Sequence, residues 1–281
     1  MSYSFTIASP VTATPEELFT EAGFPDVACR QDVDAASVWP HGVAHFYRPG
    51  VSCRAVEVTS DADEFDVRIM AHSSPDDFEL ALGLIEAAAR QTGASIHSED
   101  GDTVDADAFR SRFDDAWISE LVQSPFGMFN MIRNQGATAT VHGAARPFEL
   151  GPAMLDELGF GQDIDEFQRR FFEAFRRLQW MNLDDYFEAS VLAITPNGTS
   201  EQKTFSSIGA PGLAYLLNRV ELIGAQTSDG KLIFVPWDRL PEALGERFHR
   251  LHENLVTIDA IPAADWPDVA EQLQRVSVSL A

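Results

Sequence analysis

Apolar and polar residues follow strand or helix periodicity along most of the chain. Residues 3–8 read as a strand, and a helix opens at Pro15 with Thr14 as N-cap and Glu17 completing a capping box. Three β-rich runs follow, Val43–Arg48, Cys53–Thr59 and Phe65–Ala71, separated by Pro49-Gly50 and by the polar Ser60–Glu64. Their spacing predicts an antiparallel meander. Ser74-Pro75-Asp76-Asp77 supplies an N-cap, an N1 proline and first-turn acids for a helix ending near Gly93. Phe78, Leu82, Ile85 and Ala89 form an apolar stripe, widened by Leu80, Leu84 and Ala88, so this helix is expected to lie across the meander. Phe109, Phe113, Trp117 and Leu121 recur every fourth residue and predict one further helix with an aromatic core face. The run Pro125–Ile132 is too short to span a bilayer and reads as a buried turn, with an exposed contact patch as the alternative.

Gly143, Pro147, Gly151 and Pro152 interrupt the periodicity and suggest two domains, 1–145 and 146–281. Beyond them, Ile164, Phe167, Phe171, Phe175 and Leu178 line one side of a helix, and Asp165/Arg169, Glu166/Arg170 and Glu173/Arg177 pair on the other. Strands at Tyr186–Ile194, Thr204–Ile208, Val220–Ala225 and Lys231–Val235, with turns at Pro196-Asn197-Gly198 and Asp229-Gly230, predict a second antiparallel sheet. Helical patterns at 238–253 and 263–275 flank a strand at Val256–Ile258. The expected fold is α+β, two lobes that each pack an antiparallel sheet with helices.

Composition narrows the function. Hydrophobic residues make up 45% of the 281, including twenty Phe, enough for one large core or two smaller ones. No stretch of eighteen apolar residues occurs, and Met1–Ala8 lacks the basic and apolar regions of a secretory signal, so a cytoplasmic protein without a membrane span is expected. Cys29 and Cys53 are expected as reduced thiols. The formal charge of −24 disfavours direct nucleic-acid binding, which draws on Lys and Arg, and points instead to a basic protein partner. The charge is local: residues 57–107 hold fourteen acids against two arginines, a net −12. Asp61, Asp63, Glu64, Asp66, Glu99, Asp100 and Asp102 are the candidate contacts for that partner.

Other chemistry has thinner support. His249 and His252, with Glu253 following, would share one face of a helix and are the metal or acid–base candidates, although HxxHE matches no established zinc spacing. Cys29, Cys53, His41 and His45 have the atom types of a zinc site without its spacing. Glu99–Asp107 is rich in oxygens, but Asp105 stands where an EF-hand requires glycine. Phe205-Ser-Ser-Ile-Gly209 lacks the first glycine of a nucleophile elbow. Asn197-Gly198-Thr199 is a formal glycosylation acceptor that reads as a hairpin turn. There is no GxGxxG, Walker A or CxxC pair, and no cofactor is expected.

Val67-Arg-Ile-Met70, Ser74-Pro-Asp-Asp-Phe-Glu-Leu-Ala-Leu-Gly-Leu-Ile85, and Thr92-Gly-Ala-Ser-Ile96 with Glu99-Asp-Gly101 resemble segments of uncharacterised bacterial cytosolic proteins. In acidity and construction those proteins resemble products of toxin and immunity loci. The concentrated acidic segment and the absence of catalytic motifs point to an acidic binding protein, and the resemblance, an association rather than a mechanism, extends this to an immunity protein that neutralises a basic toxin or effector by occlusion. An enzyme built on His249, His252 and Glu253, or a self-associating scaffold, is the alternative.

Overall fold

The computed structural model describes residues 2–31, 39, 42–196, 199–209, 211–227 and 229–280. It comprises two compact units, Met1–Met181 and Asn182–Ala281, both α+β. Among the described residues no helix is long and apolar enough to cross a membrane.

In the first unit β1 (Tyr3–Ile7), β2 (Ala28–Cys29), β3 (Val43–Tyr47), β4 (Val56–Ser60), β5 (Phe65–Ile69), β6 (Ile96–Ser98) and β7 (Thr103–Val104) form one sheet, ordered β2-β3-β4-β5-β1-β6-β7. The expected meander is its β3-β4-β5 centre. β1 docks antiparallel beside β5, with Tyr3 opposite Ile69 and Ile7 opposite Phe65, and pairs on its other side with β6. Alternate residues, Tyr3, Phe5 and Ile7 on β1 and Phe65, Val67 and Ile69 on β5, are buried. Helix α1 (Pro15–Glu21) has the expected capping box on Thr14 and Glu17, and α2 (Pro75–Thr92) has one on Ser74 and Asp77 and ends at a left-handed Gly93. The wide apolar face of α2 packs against β1, β4, β5 and β6, as its stripe requires.

The aromatic stripe at 109–121 spans two helices rather than one, α3 (Ala106–Arg112) and α4 (Asp115–Gln123). The break lies at Asp114, whose carboxylate accepts from the backbone N–H groups of Ala116 and Trp117 and so starts a new helix. Tyr3, Phe5, Phe109, Phe113 and Trp117 still meet in one cluster, so the stripe remains core. The apolar run that follows is helical rather than a turn: a 3-10 turn at Ser124–Phe126 leads into α5 (Gly127–Gln135), with Phe126, Phe129 and Ile132 buried and Met128 and Met131 exposed.

The glycines and prolines of 143–152 lie inside this unit. They close a hairpin, β8 (Ala139–His142) with β9 (Pro147–Leu150), and start α6 (Pro152–Leu158), and the unit continues through α7 (Ile164–Trp180). Phe167, Phe171 and Phe175 of α7 pack on Phe126, Phe129 and Phe148, which is why the unit ends after α7 and not at 145. On the outer face of α7 Arg169 bridges Glu166 and Glu173.

The second unit holds β10 (Phe187–Glu188), β11 (Leu192–Ile194), β12 (Lys203–Ile208), β13 (Tyr215–Asn218), β14 (Leu222–Gln226), β15 (Leu232–Pro236), α8 (Leu240–Leu244), β16 (Phe248–His252), β17 (Leu255–Ile258) and α9 (Trp266–Arg275). Its strands make two mixed sheets, β10-β13-β17-β16 and β11-β12-β14-β15, with β10/β13 and β12/β14 parallel. The helix expected over 238–253 is corrected: α8 stops at Gly245, whose φ is 54°, and Phe248–His252 is a strand. Its hairpin partner β17 decides this, because pairing across the Glu253-Asn254 turn satisfies backbone groups that an isolated short helix would leave open. Asn197 and Gly198 of the expected turn lie outside the described residues.

Candidate functional site

The seven acids proposed as partner contacts separate into two turns. Asp61, Asp63 and Glu64 occupy the β4–β5 turn, closed by the Asp61 N–H donating to the Glu64 carbonyl at 2.9 Å, and all three are exposed. Asp66 follows on β5, where Thr6 donates its hydroxyl to the carboxylate. Glu99, Asp100 and Asp102 belong to the β6–β7 turn. Because β1 runs antiparallel to both β5 and β6, the two turns lie at opposite ends of β1. The four-residue step from Phe65 to Ile69 alone spans about 13 Å. That exceeds the Debye length of about 8 Å at physiological salt, so each turn acts largely as its own electrostatic site.

Among the described residues the acids of the β4–β5 turn make no ion pair. The Glu64 carboxyl is pushed above its usual range, first by its hydrogen bond with Asp66, then by the Asp66 charge and, more weakly, by Asp61. Glu57, Glu79, Glu86 and Asp102, also from the acidic segment, are paired with His45 or arginines.

The β6–β7 turn borders a cleft of about 150 Å³, lined in part by Tyr3, Met70, His72, Phe78, Glu99 and Asp100. Tyr3 donates its hydroxyl to Asp100 Oδ2 at 2.8 Å, and Glu99 Oε2 accepts from the Ser4 N–H at 3.1 Å. Burial raises the Tyr3 pKa, and the Asp100 charge adds to that. His72 is 5% exposed and carries a φ of 63°, a left-handed conformation that histidine tolerates better than most residues at about 1–2 kcal/mol. Its ring stacks on Phe129 with centroids 5.1 Å apart and planes 14° apart, and Phe171 meets it edge-on. Among the described residues its buried Nδ1 has no hydrogen-bond partner. Burial, and then the Arg54 charge, lower its pKa to about 4, so the ring is neutral at neutral pH.

Two buried groups hold the loop that carries His72. Arg54 donates NH1 to the Ala71 carbonyl and Nε to the His142 carbonyl, the latter at 2.8 Å. Asp77 Oδ2 accepts from the N–H groups of Ser74 and Arg54 and from the Ser74 hydroxyl. Burial outweighs these bonds and raises the Asp77 pKa to about 6. Cys53 lies beside them with its thiol pushed far up by burial. Sequence reasoning did not single out His72 or Tyr3. The available signal for His72 was spacing: the strand pattern ends at Ala71 and the N-cap is Ser74, so only two residues remain to turn the chain.

Both acidic turns and the cleft lie within residues 2–190, which match the family described as Domain of unknown function (DUF4299). The chain belongs to that family. The DUF4299 match takes in the described part of the first unit and ends early in the second, so the residues that define the family include both candidate sites. No curated protein and no solved structure matches the chain.

The remaining candidates of this DUF4299 protein do not converge. His249 Nε2 lies 2.9 Å from Asp259, His252 Nδ1 accepts from the Asn254 N–H at 3.2 Å, and Glu253 faces Arg219 at 3.4 Å. On a strand with a bulge at Arg250 and His252, the i, i+3 spacing no longer brings the two imidazoles onto a common helix face. Among the described residues no group of three or more His, Cys, Asp or Glu could hold a metal ion. Cys29 and Cys53 are free thiols, Cys29 beside Gln31 and Cys53 beside the Phe172 carbonyl, while His45 contacts Gln31 and Glu57. His41 lies outside the described residues. The oxygens of 99–107 diverge, with Asp100 on Tyr3, Asp102 on Arg112 and Asp105 capping α3. Phe205–Gly209 runs through strand β12 and its end, without the strand-to-helix turn of a nucleophile elbow.

Proposed function

We propose that this chain is a binding protein whose first unit captures a basic protein partner through the β4–β5 turn, and that occlusion of a toxin or effector is the use of that capture. The observation that carries the reading is the crowding at Asp61, Asp63, Glu64 and Asp66, where the carboxylate of Glu64 is disfavoured by its acidic neighbours. A cation from a partner would relieve that repulsion, and the field of the turn would accelerate encounter. The same field works against nucleic-acid backbones.

The test begins with partners recovered from the native host at low and moderate salt. Asp61→Lys, Asp63→Lys and Glu64→Lys combined should slow association with a basic partner by about 10- to 100-fold and flatten its salt dependence, read by stopped-flow or biosensor kinetics. Unchanged association rates for every stoichiometric partner would refute the role of the turn.

A further inference from the structure

We infer that the outer face of the β11-β12-β14-β15 sheet is a self-association surface, and that its occupant is the same face of a second copy of this chain. Side chains opposite one another in the register share a face. One face, with Ile208, Ile223, Ala225, Ile233 and Val235, belongs to the core of the second unit. The other carries Leu192, Ile194, Phe205, Phe234 and Leu232, and within the unit it stays open: Leu192 is 49% exposed and Leu232 53%. Val191–Ile194 and Leu232–Val235 are apolar at every position, the signature of strands covered on both sides, whereas a strand with one side in water alternates apolar with polar residues. Over Gly224 the rings of Phe205 and Phe234 meet edge-to-face with centroids 5.6 Å apart, so the middle of the face is an aromatic platform suited to sheet-on-sheet packing.

Charge selects the occupant. In a chain of net −24, Lys203 is the one charged side chain on this face among the described residues, and the adjoining groove of about 540 Å³, lined in part by Phe187, Leu213 and Leu232, has none. A basic protein would find no carboxylate here, and a nucleic acid or an anionic membrane surface would be repelled by the rest of the chain. A second copy brings an identical apolar surface, and two polyanions meet here with the least charge forced together; a two-fold axis makes the contact self-complementary. Four strands about 4.8 Å apart and the six residues of β12 at about 3.3 Å each give a footprint of about 19 by 20 Å, near 400 Å² per copy before side-chain relief is counted. A total of about 800 Å² or more across both copies approaches the roughly 1,000 Å² at which specific interfaces begin and stays below the roughly 1,600 Å² of a standard one, so the dimer forms at micromolar and not at nanomolar concentration.

The face lies in the second unit and the β4–β5 turn in the first, and salt separates their two roles: it should weaken capture of a basic partner but tighten a dimer of like-charged copies. The test is sedimentation velocity on the full chain from about 1 to 300 µM, in about 0.05 and 0.5 M NaCl. A reversible monomer–dimer equilibrium that tightens with salt is expected. Leu232→Asp should weaken it by about 30-fold or more, because the dimer would bury an unpaired carboxylate. Leu192→Thr combined with Leu232→Thr, at half-exposed positions where threonine keeps strand propensity, should weaken it by about tenfold at an unchanged thermal midpoint. Met131→Asp, at an equally exposed apolar position of the first unit, should leave it unchanged. A monomer at every concentration, the result for a different apolar partner or for none, a dimer loosened by salt, or full dimerisation in both Leu232 variants would overturn the inference.

Discussion

His72 lies in the loop between β5 and α2, Asp77 in the first turn of α2, and burial shifts their protonation in opposite senses. The imidazole, lowered from 6.5 to about 4, binds fewer protons in the folded state, so its contribution to stability is present above pH 6.5 and is lost as pH falls through 4. The carboxyl, raised from 3.8 to about 6, binds more protons in the folded state, so its contribution is present below pH 3.8 and is lost as pH rises through 6. Each shift corresponds to roughly 3 kcal/mol, so between pH 4 and 6 the two slopes oppose one another and nearly cancel. Removing one group should expose the other. Asp77→Asn is expected to lose stability more steeply than wild type on acidification from pH 6 to 4, and His72→Asn, which keeps a residue tolerant of the left-handed backbone, less steeply. Urea midpoints across that range check this, and parallel profiles for all three proteins would contradict it.

Among the elements, the β8–β9 hairpin is fastened to α7 through Gln179. Its Oε1 accepts from the N–H groups of Ala145 and Arg146, both at 2.8 Å, and Arg146 in turn donates to the carbonyls of Leu178 and Met181 at the end of α7. A Cβ on Gly143 would lie 2.4 to 2.5 Å from the Gln179 amide. The amide cannot swing away without breaking both bonds, and it is buried. Gly143→Ala should therefore cost about 1–3 kcal/mol in urea denaturation, from overpacking and a lost hydrogen bond. A wild-type midpoint would show that the side chain repacks freely. The α1 and α2 caps were legible in the sequence because a capping box is a matter of residues three apart. The α3–α4 break was not, because Asp114 is equally compatible with an exposed position inside one longer helix.

At the scale of the molecule, the extent of the first unit distinguishes two truncations. A chain ending at Met181 retains α7 and its phenylalanines, whereas a chain ending at Ala145 loses Phe148, Phe167, Phe171 and Phe175 from the cluster around Phe126 and Phe129. Each buried Phe is worth about 1.5–3 kcal/mol, so four exceed much of the 5–15 kcal/mol that stabilises a typical domain. The 1–181 chain should unfold in one cooperative transition with dispersed NMR signals. The 1–145 chain should give collapsed, poorly dispersed spectra, and a cooperative transition from it would move the boundary back to the glycine-rich stretch.

The α+β class, the meander, α1, α2, the amphipathic α7 and the local excess of acid followed from short-range patterns, since periodicity, caps and composition are properties of neighbouring residues. What long-range contact settled was different in kind. It placed β1 between β5 and β6 and turned Phe248–His252 into a strand, removing the helix face that His249 and His252 were expected to share. It also set the acids of one sequence segment at opposite ends of a strand and brought Tyr3 to Asp100, 97 residues away, above a left-handed His72. Pairing across a sheet and desolvation in a core depend on which distant segments meet, and no local pattern in the chain encodes that meeting.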